Sequence, residues 1–112
     1  MLIVNARTAP EKATPHGVSV RPLFESPHVQ TVLITLQPGE SLRRHITPVD
    51  ACFYVLEGRG IVEIGDETQE CAADDLIHSP ARIPHRWRNE GPDTVRILVI
   101  KTPRQSEVSR IL

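Results

Sequence analysis

The chain has 112 residues, 39% of them apolar, and a formal net charge of −1. That length suits one domain spanning residues 1–112, and the near-zero charge offers no field to gather nucleic acid or an anionic membrane surface. Cys52 and Cys71 form neither a CxxC pair nor a zinc spacing, and the opening Met1-Leu2-Ile3-Val4-Asn5-Ala6-Arg7 has no basic stretch ahead of a long apolar run, so the expectation is a cytoplasmic protein with two structural thiols.

In chain order, the polar, Pro-containing stretch 9–17 reads as a loop. Short runs rich in Val, Ile and Leu then follow at 29–36, 52–56, 60–64 and 94–101. Turn chemistry separates them. Gln37-Pro38-Gly39 fits a turn with Pro first and Gly second of its two central residues. Glu57-Gly58-Arg59-Gly60 fits a hairpin that needs a positive φ at Gly58. Gly65-Asp66-Glu67 ends the third run, and Asn89-Glu90-Gly91-Pro92-Asp93 precedes the fourth. In the last run Val95, Ile97 and Val99 share one face. Residues 103–112 read as a loose tail, with Ile111 and Leu112 able to dock on the sheets or on a neighbouring subunit. Regular punctuation, period-two alternation and the lack of any capped helical period predict an all-β sandwich or barrel.

Two segments carry chemistry. In 43–47, strand parity groups Arg43, His45 and Thr47 on one face. In 80–89 it groups His85, Trp87 and Asn89, and Trp87 argues that this face looks inward. Gly39, His45 and Gly58 fit the first motif of the cupin superfamily, which runs Gly, five residues, His, one residue, His, three or four residues, Glu, six residues, Gly. Thr47 stands where the second His would be and Ala51 where the Glu would be. Pro80, His85 and Asn89 fit the second motif, with Asp74 and Arg82 replacing its two glycines. The chain therefore resembles a small cupin, with motifs at about 39–58 and 74–89.

The resemblance implies a double-stranded β-helix, a jelly-roll-like barrel, forming a homodimer. It also implies a small-molecule site inside the barrel, centred on His45 and His85. In the family, the three histidines and the glutamate of these motifs bind one divalent metal, and only two of the four ligands are present here. Zinc, nickel, manganese or iron on His45 and His85 is one reading, with Asp50 and His78 as auxiliary ligands. Two polar pocket residues in a site with no metal is the other. Arg43, Thr47, Phe53 and Trp87 are candidates for contact with the ligand, Arg43 by forking onto a carboxylate or phosphate. The depleted motif favours a binding or sensor module over a metal-dependent dioxygenase, isomerase or decarboxylase. Fold alone does not choose among these chemistries.

Overall fold

Ten strands form between the Pro and Gly punctuation in the computed structural model, which describes residues 1–106 and 108–112. They are β1 (Ser19–Ser26), β2 (Val29–Leu36), β3 (His45–Ile46), β4 (Asp50–Glu57), β5 (Arg59–Ile64), β6 (Glu67–Ala72), β7 (Leu76–Ser79), β8 (His85–Arg88), β9 (Val95–Thr102) and β10 (Arg110–Ile111). No helix is long and apolar enough to cross a membrane among the described residues.

Two five-stranded sheets result, ordered β1-β2-β9-β4-β7 and β10-β3-β8-β5-β6. Every ladder is antiparallel. This is the all-β, cupin-type double-stranded β-helix that the motifs imply. The core follows from alternation. Leu36 on β2, Ala51 and Val55 on β4, and Val95 and Ile97 on β9 are each almost fully buried, as is Trp87 on β8. Burying the Leu, Val and Ile side chains among them contributes about 1.5–3 kcal/mol each. Gly60 makes room for Trp87, because a Cβ there would lie 3.1 Å from the indole ring.

The long runs lie where the sequence places them, and β2 spans the predicted 29–36. The tail does not stay loose. Arg110 pairs with Ile46 and Ile111 with His45, because β3 would otherwise present an open edge. Position 107 of that tail lies outside the described residues. Both motif positions that have lost their glycine keep the left-handed backbone, with φ 75° at Asp74 and 66° at Arg82. The two thiols are free.

Glu57-Gly58-Arg59-Gly60 is not the expected hairpin, because β4 and β5 lie in different sheets and Gly58 turns the chain from one to the other. The φ of Gly58 is +81°, and an added Cβ would stand 2.2 Å from the Thr94 carbonyl oxygen. Gly39 has φ +86° and nothing within 4 Å of its Cβ position. Gly58→Ala is therefore expected to lower stability by about 3 kcal/mol or more, while Gly39→Ala costs only the backbone strain of about 1 kcal/mol. Thermal melts of the two variants check this. Equal losses would contradict the steric assignment at Gly58.

Candidate functional site

A cavity of about 420 Å³ opens between the sheets, and its walls include His45, His85, Thr47, Phe53 and Trp87. His45 and His85 are direct cross-strand partners on β3 and β8. Their Nε2 atoms lie 3.2 Å apart. His85 is only 4% exposed and Thr47 only 1%.

Hydrogen bonds fix the protons on these rings. His45 Nδ1 sits 2.8 Å from the Arg43 carbonyl oxygen. A carbonyl only accepts, so Nδ1 carries the proton and Nε2 of neutral His45 is a lone pair. That lone pair receives the N–H of His85 Nε2, which leaves His85 Nδ1 to accept the Ser79 hydroxyl at 2.6 Å. Thr47 Oγ1 lies 3.1 Å from His85 Nε2. Both rings stay neutral. Burial pushes His85 down to about 3, helped by the fields of His45, Lys101 and His16. Burial also lowers His45; the Arg43 carbonyl opposes that shift and the Lys101 field adds to it.

Parity places some of the expected residues elsewhere. The side chain of Arg43 is exposed and off the cavity wall, because 43–44 are not in a strand and the inward position falls on Leu42. Arg43 contributes through its backbone instead. Asp50 and His78 turn outward together, with His78 Nε2 3.8 Å from Asp50 Oδ2. Asp50 Oδ1 accepts the backbone N–H of Ala81 at 2.7 Å. Neither reaches the imidazole pair, since Ser79 takes the inward position of β7. Asn89 ties the turn after β8, donating to the carbonyls of Leu36 and Asp93 at 3.0 and 2.8 Å.

Cavity residues outside the motifs include His16, Lys101 and Ser109. His16, in the loop before β1, stacks near His45 with ring centroids 4.9 Å apart. Its Nδ1 accepts the Arg43 backbone N–H at 2.8 Å, so the neutral ring carries its proton on Nε2. Burial, then the fields of His45, Arg43 and Lys101, push His16 down to about 4. Lys101 continues the inward alternation of Val95, Ile97 and Val99 along β9. Parity alone would have found it, whereas His16 and the tail residue Ser109 reach the cavity through contacts remote in sequence. Lys101 donates to Gln105 Oε1 at 2.8 Å, Gln105 Nε2 to Ser109 Oγ at 2.9 Å, and Ser109 Oγ lies 3.4 Å from Thr47 Oγ1. Polar contacts thus run from the ammonium through the tail to the imidazole pair.

The donor set is thin for a metal. The two Nε2 atoms converge, but a catalytic zinc takes three protein ligands. No group of three His, Cys, Asp or Glu is disposed to hold an ion among the described residues. Thr47 and Ala51, the positions of the missing family ligands, do line the cavity beside His45 and His85.

A family profile described as "Cupin domain" matches residues 32–101. The chain is 35% identical over 72 residues to "Polyketide synthase CurC" of Streptomyces cyaneus, covering 63% of this chain and 47% of that protein. It is 34% identical over 62 residues to protein MJ1618 of Methanocaldococcus jannaschii, covering 55% of this chain and 49% of that one. The chain thus spans about half the length of these two relatives. Among solved structures, TT1209 from Thermus thermophilus superposes with a TM-score of 0.79 at 29% identity, covering 92% of this chain and 98% of that one. The polyketide cyclase RemF from Streptomyces resistomycificus superposes with a TM-score of 0.85 at 20% identity, covering 100% and 85%. The RemF likeness is one of fold.

The neutral, buried His85 makes stability depend on pH. Its folded pKa of about 3 lies below the ordinary 6.5. Between these values the unfolded chain binds a proton that the folded chain does not. The stability is therefore fully present above about pH 6.5 and is lost on acidification through that window, by up to about 1.4 kcal/mol per pH unit. Melts between about pH 7 and pH 4 should show the fall, and His85→Gln should make it shallower. An unchanged slope in the variant would mean that His85 is not held neutral.

Proposed function

The chain belongs to the cupin family, and from that premise we propose that it is a binding module for a small, largely apolar organic molecule held between the sheets. The observation that carries this reading is the cavity itself. Its volume of about 420 Å³ lies in the range of small-ligand sites, and Val32, Ile34, Phe53 and Val99 give it apolar walls beside the His45–His85 pair. The indole of Trp87 belongs to the same wall, its N–H buried and without a hydrogen-bond partner among the described residues. A ligand carbonyl can accept from the N–H of His16 Nε2, which lines this wall. The names of CurC and RemF associate two similar proteins with polyketides, and a carbonyl-bearing apolar molecule of that kind matches this lining. Homodimer formation is part of the proposal, favoured by the exposed apolar residues Met1, Leu2 and Ile3.

A metal-dependent enzyme is the second reading, favoured by the 3.2 Å approach of the two Nε2 atoms. Two imidazoles fall short of a three-ligand site, so the binding module is the better fit.

Melts of chelator-treated protein with zinc, nickel, manganese or iron(II) separate the two. The expected result is no shift with any ion. A rise that disappears in both His45→Ala and His85→Ala would establish the metal centre instead, since a ligand of the folded state stabilises it by mass action. Thr47→His combined with Ala51→Glu should make the melt metal-dependent, because both positions line the cavity. For the organic ligand, phenylbutyramide serves as a neutral probe read through the emission of Trp87, the only tryptophan. Its affinity should fall several-fold in His16→Ala, which removes the Nε2 N–H donor from the wall, the worth of about one hydrogen bond.

A further inference from the structure

Every ionisable side chain that lines the cavity among the described residues is basic: Lys12, His16, His45, His85, Arg86 and Lys101. The three imidazoles are neutral, each holding one ring nitrogen as an acceptor or lone pair. Arg86 is committed to Glu63, with Nε 2.7 Å from Oε2. Lys101 differs from all of them. It lies on the inward face of β9, its partner is the neutral Gln105 oxygen at 2.8 Å, and no carboxylate of the described residues forms an ion pair with it. A partly buried ammonium without a counter-charge is costly, and an anion placed against it relieves that cost.

We propose that Lys101 anchors an oxyanion on the bound molecule, so that the cavity selects an organic carboxylate or enolate with an apolar body over its neutral analogue. This rests on the reading of the cavity as a small-molecule site. Apolar walls receive the body through Val32, Ile34, Phe53 and Val99. The charge goes to Lys101, and the N–H of His16 Nε2 is a further donor on the same wall. Burial and the field of Lys12 pull the ammonium's pKa down, and an oxyanion beside it acts in the opposite direction. The ligand thus supplies the negative charge that the protein omits.

The test compares phenylbutyrate with phenylbutyramide, which share a body and differ in charge. Trp87 emission reports binding, with calorimetry as a second measurement. The parent should bind the carboxylate at least tenfold more tightly than the amide. Lys101→Met should abolish that preference while still binding the amide, and Lys101→Arg should keep most of it. Equal affinities in the parent, or a preference that persists in folded Lys101→Met, would overturn the anchor and leave the cavity reading standing. If neither compound binds the parent, both readings fall. Should Lys101→Met not fold, loss of the preference in Lys101→Gln takes its place, and persistence there refutes the proposal.

Discussion

A carbonyl oxygen has no proton to give, and the polar centre of this protein is arranged around that fact. The Arg43 carbonyl obliges His45 to carry its proton on Nδ1, which orients His85 and, through it, the hydroxyl of Ser79. The N–H of the same residue meets His16 Nδ1. One residue's main chain therefore orders three imidazoles drawn from a loop and two strands. Backbone is well suited to this, because its position is fixed by the ladders around it and not by a flexible side chain.

The electrostatic consequence is a cavity that is basic in composition but holds little charge. Histidines that lose solvent and face other cation-forming groups give up their protons, so polarity survives there mainly as directed N–H groups and lone pairs. Apart from the Lys12 and Lys101 ammonium groups, charge is kept outside. Glu63 bridges Arg86 and Arg88 at 2.7 and 2.9 Å on the opposite face of β8. The strict alternation of β8 separates a neutral interior from a charged exterior within four residues.

That alternation is also what made much of the molecule legible in advance. On β8 and β9 the pattern of bulky and charged residues determines which face is inward, and His85, Trp87 and Val95 to Val99 lie as parity requires. The same reasoning failed at Arg43 because the segment before β3 is not extended, so counting by twos does not apply. It left His78 unresolved because its neighbours in β7 are apolar on one side, Ile77, and polar on the other, Ser79, and only pairing with β4 decides that Ser79 points inward. His16 and Ser109 carry no local signal at all. They meet the site through contacts between segments distant in sequence, which no periodicity encodes.

The cavity wall has two kinds of parts. Strands β2, β4, β8 and β9 supply the apolar surface and cannot change without disturbing the core. Residues 12–16 together with Gln105, Ser106, Val108, Ser109 and Ile111 supply much of the remaining wall from outside those strands, and β10 is held by two residue pairs. Segments of that kind tolerate substitution far better than packed strands do. Ligand preference can thus diverge between descendants of a common ancestor through changes in these two stretches alone, while the sheets are inherited intact.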